Sequence, residues 1–245
     1  MSPLSFGLGS SRAFGIASST PIGPWSLIYD FSDSACYSGS GNTITDLEGN
    51  VDATVVGATY NSAGGYFNLS SASSGDGYIK MNSITPEISP TYTIDVWFKL
   101  NAVSNGIVIF DGRTMGGFGF TYGFNVGTES TNGNISLQWN HPNGGARFPN
   151  TLSALATNTF YHIVMTQDST DSRLYTNNVN LTSFSSPTNF SAQIDTPIHF
   201  GIRSYDTATA TSSNIDLYEF RMYNRGFTVA EVDARFQASR TKYGI

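Results

Sequence analysis

Splitting a glycosidic bond takes two carboxylates facing the same bond a few ångströms apart, one of them able to release a proton. This chain has only five glutamates, Glu48, Glu87, Glu129, Glu219 and Glu231. Asp216 and Glu219 share one strand-like run, and strict alternation predicts that they point to opposite faces. Glu231 stands three residues after Thr228, the capping-box spacing, so its expected work is to close a helix start. No carboxylate pair converges. The histidines, His141, His162 and His199, show no zinc-binding spacing. His162 and His199 fall inside apolar strand runs, where a hydrogen-bonded structural histidine is the expected reading. There is no Gly-x-Ser-x-Gly elbow, phosphate loop or dinucleotide fingerprint. Cys36 is the sole cysteine, which excludes an internal disulfide and fits a small buried side chain.

Calcium would need several oxygens converging from loops. Asp76, Asp111, Asp168, Asp171 and Asp206 all stand in turn-like surroundings, where aspartate commonly bonds its own backbone. A possible ligand rim would draw on Asp76, Asp111 and Asp206, with His141 and Arg147 from the polar loop His141-Pro-Asn-Gly-Gly145. No cofactor is expected, a rim calcium being the one ion worth testing. In Gly117-Phe-Gly-Phe-Thr-Tyr-Gly-Phe124 the aromatics share one strand face, which suits burial between two sheets or, alternatively, a platform for sugar rings.

The elements that must position these groups are strands. Charged residues make up only 12% of the chain, and Gly, Ser, Thr and Asn are abundant, which favours short strands joined by tight turns. The 245 residues suffice for one large β domain with its own core. The clearest strand is Tyr92–Leu100, with Tyr92, Ile94, Val96, Phe98 and Leu100 on one face and Thr93, Asp95, Trp97 and Lys99 on the other. Near the end, Tyr218, Phe220 and Met222 share a strand face, with Glu219 and Arg221 opposite. Asn224-Arg225-Gly226 then supplies a corner, and Thr228 opens a helix. Phe227 and Val232 are placed to staple over the cap, and Val229, Val232 and Phe236 form the helix's expected buried stripe.

Several of these runs, taken in order, resemble one family. Tyr37-Ser-Gly-Ser-Gly41, Thr45-Asp-Leu-Glu-Gly-Asn50, the strand at Tyr92–Leu100, Phe160-Tyr-His-Ile-Val-Met-Thr166, Arg173-Leu-Tyr-Thr-Asn-Asn-Val179 and Ile198-His-Phe-Gly-Ile202 are similar to motifs of laminin-G-like domains. These belong to the concanavalin A-like lectin and glucanase jelly rolls. The opening motifs resemble a subgroup found in tailed-phage virion structural proteins. Asn178 stands where the family's hairpin usually has Gly, a left-handed position that Asn tolerates. The resemblance implies an all-β, two-sheet antiparallel jelly-roll sandwich over residues 25–245 with one short C-terminal helix. It also brings the glucanases' Glu-x-Asp-x-x-Glu strand into question, and no glutamate here begins that motif.

Residues 1–24 differ from the rest. Ser5-Phe-Gly-Leu-Gly-Ser10 and Ala13-Phe-Gly-Ile-Ala-Ser18 are two similar short units, followed by Pro21 and Pro24. They read as a tail, as an extra strand on their own domain, or as an extended arm that docks on a neighbouring subunit. Four large apolar groups, Phe6, Leu8, Phe14 and Ile16, favour the docking arm, since a free tail has little use for them. The formal net charge of −6 and scattered cations argue against nucleic acid, and no apolar run approaches a membrane span. The amino terminus lacks the basic and apolar regions of a secretory signal. The expected function is therefore non-enzymatic: a virion structural protein, above all a capsid decoration or cement protein, oligomeric in the particle and contacting other capsid or tail subunits. The alternative is a host-glycan-binding adhesin domain of a tail fibre or spike, with surface glycans as partners.

Overall fold

The computed structural model describes residues 26–70, 77–83, 91–102, 108–112, 114–115, 121–128, 135–140, 155–168, 171–185, 197–202 and 214–245. Phe6, Leu8, Phe14, Ile16, Asp76, His141, Arg147 and Asp206 lie outside these residues, as do Phe118 and Phe120. The described chain runs β1 (Ser26–Asp30), β2 (Thr43–Ile44), β3 (Ala53–Val56), β4 (Thr59–Asn61), β5 (Tyr66–Leu69), β6 (Tyr78–Met81), β7 (Tyr92–Leu100) and β8 (Val108–Asp111). It continues with β9 (Thr114–Met115), β10 (Thr121–Thr128), β11 (Ile135–Asn140), β12 (Thr159–Gln167), β13 (Asp171–Thr176), β14 (Val179–Ser185), β15 (His199–Phe200), β16 (Ile215–Tyr223) and the helix α1 (Val229–Arg240). A single 3-10 turn, Thr241–Tyr243, follows the helix.

The strands form two antiparallel sheets, as the jelly-roll expectation requires. One has the order β14-β13-β12-β7-β16-β5-β4, with β1 also on β16; we call it the helix-bearing sheet. The second runs β11-β10-β8-β15-β6-β3-β2, with β9 on β10. Between them lies one core, in which Leu27, Phe31, Phe67, Val96, Phe98, Phe110, Phe200, Phe220 and Met222 are all fully buried. Strand β7 holds the alternation expected of it. Tyr92, Ile94, Val96, Phe98 and Leu100 enter that core, while Trp97 belongs to a separate cluster on the sheet's outer face.

Strand β16 departs from its expected alternation. Its register with β7 pairs Leu217 with Phe98 and then Glu219 with Trp97, so Tyr218 is an extra residue. Such a bulge shifts every later side chain by one face. Tyr218 consequently packs outside with Trp97, Phe236 and Tyr243, not inside with Phe220 and Met222. The same slip corrects the prediction for Asp216 and Glu219. Opposite Lys99 and Trp97 respectively, both lie on the outer face.

Two local motifs are explained by hydrogen bonds. At the β13–β14 hairpin, Asn177 and Asn178 both take positive φ, 47° and 67°, which is the turn geometry that matches strand twist. In Thr45–Asn50, the buried Asp46 carboxylate accepts from the backbone N–H groups of Ile28, Glu48, Asn50 and Val51. Leu47 N–H donates to the Ile28 carbonyl, and the Asn50 amide donates to the Ser26 carbonyl. The loop thereby occupies backbone groups along an edge of β1 that an extra strand would otherwise use.

The corner after β16 admits no side chain at Gly226. A Cβ there would lie 2.4 Å from the Gln167 carbonyl oxygen. We expect Gly226→Ala to cost roughly 1–3 kcal/mol by forcing backbone apart, read as a lower urea midpoint at unchanged slope.

Candidate functional site

The densest set of ionisable groups among the described residues lies on the outer face of the helix-bearing sheet, beneath α1. Three carboxylates, Asp30, Asp95 and Glu219, meet three cations there, Arg221, Arg235 and Lys242. The helix is positioned by its cap. Thr228 Oγ1 accepts from Glu231 N–H, the Glu231 carboxylate accepts from Thr228 N–H, and Arg225 pairs with Glu231 at 2.6 Å. Phe227 and Val232 close over this start together with Val164, Tyr175 and Tyr223, as the staple predicts. Val229, predicted to be buried, is 58% exposed, because the inward stripe runs through Val232, Phe236 and Ser239.

One turn further along, Arg235 Nε donates to Asp95 at 2.6 Å and its Nη2 donates to Glu219. Glu219 also accepts from Arg221 at 3.1 Å, Lys242 at 2.9 Å and the Tyr243 hydroxyl at 2.7 Å. Burial alone would raise both carboxyls. Arg235 and the other adjacent donors reverse that, holding Asp95 well below the usual carboxylate range and Glu219 down to about 2. The aromatic part of the helix footing completes the seal, with Trp97 stacked on His162 at 4.4 Å and on Tyr243 at 4.3 Å.

His162 Nε2 lies 2.9 Å from Asp95 Oδ1, an aspartate–histidine pair of the kind that activates a nucleophile in hydrolases. Both side chains are completely buried, and among the described residues His162 Nδ1 has no partner and no hydroxyl stands beside it to be activated. His162 is thus a buried, hydrogen-bonded histidine inside its strand, the environment the sequence pattern suggests. Asp216 is likewise occupied, accepting from the side-chain amides of Asn68 and Asn101 at 2.8 Å each. A glycosidase's general acid needs a carboxyl with a raised pKa, and Asp95 and Glu219 are shifted the opposite way.

Of the predicted ligand rim, Asp111 is the one described member. It is fully buried at the end of β8, opposite His199 and Asn125, and is therefore not part of an exposed turn. Asp168 and Asp171 are tied to Arg173 at 3.1 and 2.7 Å, and Asp168 accepts from Asp171 N–H, so they serve their own turn. Among the described residues no group of three or more metal-ligating side chains gathers. Burial pushes the Cys36 thiol up to about 12, which leaves it an inert core residue as expected.

A family model described as the concanavalin A-like lectin/glucanases superfamily, laminin-G type, matches residues 73–233. The chain belongs to this superfamily. No curated protein sequence matches it. Solved structures similar to this laminin-G-type chain include the binding domain of Paraclostridial Mosquitocidal Protein 1, at TM-score 0.64 and 18% identity over 86% of this chain and 51% of that one. Another is botulinum neurotoxin type C, which enters cells in dependence upon interaction with two ganglioside molecules. It gives TM-score 0.63 and 16% identity over 82% of this chain and 49% of that one. Trypanosoma rangeli sialidase in complex with sialic acid gives 0.64 and 12% over 88% and 33%. The chain thus spans about half the length of the toxin domains and a third of the sialidase. At these identities the likeness is one of fold.

Removing the central cation should be costly. Arg235→Met leaves two buried carboxylates short of a partner and should lose about 3–5 kcal/mol in chemical denaturation. Because the folded pKa of Glu219 is depressed, its contribution is fully present above the ordinary glutamate value and is lost as pH falls toward about 2. Glu219→Gln should flatten that acid limb of the stability curve, measured by urea midpoints across the same pH range.

Proposed function

We propose that this chain is a non-enzymatic structural protein of a phage virion, a capsid decoration or cement protein anchored to neighbouring subunits through residues 1–24. The observation that carries the non-enzymatic reading is the neutralised network under α1. Its carboxylates, Asp95 and Glu219, are held ionised by cations of the same chain and sealed beneath a helix. Groups bound in this way stabilise a fold and have no proton to give. The toxin binding domains of the same fold support a role in binding rather than in turnover. The anchoring reading rests on the sequence pattern of Phe6, Leu8, Phe14 and Ile16, which suits addition to a partner's sheet edge or groove. In the virion the jelly roll then covers a subunit junction or projects outward, in several copies per particle.

Deleting residues 2–20 should abolish binding to particles while circular dichroism and the melting transition of the remaining domain stay unchanged. Undiminished particle binding by the truncated protein would overturn the anchor.

A second reading is favoured by the fold of the ganglioside-dependent toxin: a glycan-binding adhesin domain on a tail fibre or spike. It predicts hits on a glycan array run with calcium, and a blank array counts against it.

A further inference from the structure

The sheet opposite the helix carries a second group of polar side chains that the ion-pair network does not use. Register places Thr54 opposite Lys80, and Lys80 opposite His199, on the adjacent strands β3, β6 and β15. Their strand neighbours Ala53, Ile79, Met81 and Phe200 all enter the core, so alternation turns Thr54, Lys80 and His199 to the outer face. Tyr78, two residues before Lys80, brings its ring to 5.7 Å from that of His199.

Each member is prepared for a ligand in a different way. His199 Nδ1 lies 3.0 Å from the Pro197 carbonyl, which can only accept, so Nδ1 carries the proton and Nε2 is left as an acceptor. That Nε2 has no hydrogen-bond partner among the described residues, although His199 is 96% buried. Burial, then the charge of Lys80, push the imidazole pKa down to about 4, so the ring stays neutral near neutral pH. Lys80 is exposed and, like Lys99 and Arg240, in no ion pair among the described residues; what sets it apart is its place beside the His199 ring in the sheet. Thr54 Oγ1 donates to Asn82 Oδ1, which leaves its lone pairs free to accept. Asp111, next in the row after His199, is fully buried and already engaged.

We infer that Thr54, Tyr78, Lys80 and His199 form a binding site for a saccharide that bears a carboxylate. The unpaired ammonium of Lys80 takes the carboxylate, the fixed acceptors His199 Nε2 and Thr54 Oγ1 take sugar hydroxyls, and the Tyr78 ring offers an apolar face. A neutral acceptor beside an unpaired cation selects against ligands that are anionic throughout, such as polyphosphates, and for those that combine one charge with hydroxyls. The inference rests on the glycan-binding reading and is independent of the arm.

The test is a titration of the full chain, followed by NMR, with sialyllactose and trigalacturonate as acidic probes and lactose as the neutral one. At least one acidic probe should bind with a Kd on the order of millimolar or tighter, roughly tenfold tighter than lactose. Lys80→Gln, at an exposed position that leaves the core intact, should remove that preference, and Lys80→Arg should keep it. Equal binding of acidic and neutral probes, unchanged by Lys80→Gln, overturns this site while leaving glycan binding in place. No binding by any probe overturns both, and leaves the anchoring of residues 1–24 untouched.

Discussion

Burying a carboxylate on the outside of a sheet is only tolerable if something brings a cation to it. Asp95 and Glu219 lie on neighbouring strands, β7 and β16, and the guanidinium that spans them belongs to α1. That one bridge ties together much of the rest. The helix must start where its capping box sets it, so that Arg235 arrives one turn later. The corner must be a glycine, so that the chain can pass close against Gln167. The 3-10 turn after the helix must follow, so that Lys242 and Tyr243 reach the other oxygen of Glu219. Without the bulge at Tyr218, Glu219 would face the core, where no cation waits.

The same arrangement occupies polar groups that, by type alone, look ready for chemistry. An aspartate–histidine pair, a deeply buried glutamate and two arginines would, in an open cleft, invite a catalytic reading. Here every carboxylate oxygen is matched by a donor from the same chain, and aromatic rings cover the rest. Shifted pKa values of this origin report on structural ion pairing.

Much of the fold was legible in the sequence because its signals are local. The alternation of Tyr92–Leu100, the Thr228–Glu231 box, the Phe227–Val232 staple and the paired asparagines of the hairpin each express themselves within a few residues, and each stands where expected. The misses have a common cause, which is that they depend on partners far away in the chain. A bulge leaves no mark in the run Leu-Tyr-Glu-Phe, since only the register against β7 shows the extra residue. Arg235 meets Asp95 across 140 residues, and helical spacing alone does not show it. The Lys80–His199 juxtaposition is of the same kind, made by β6 and β15 meeting in the sheet. Asp111 was misread for a related reason, as a strand end resembles a turn when its neighbours across the sheet are unknown.

Strand β1 begins at Ser26, where residues 1–25 join the sandwich, and it pairs in antiparallel register with β16 from Tyr223 to Glu219. Backbone bonds in such a pair run across the strands. Tension applied along β1 therefore loads its bonds to β16 in parallel, together with those that reach it from Asp46, Leu47 and Asn50 on the other edge. Failure would require them to give way nearly at once instead of peeling one after another. A pull directed along β1 at Ser26 would thus load the strand in shear, the geometry in which a short strand withstands the greatest pull.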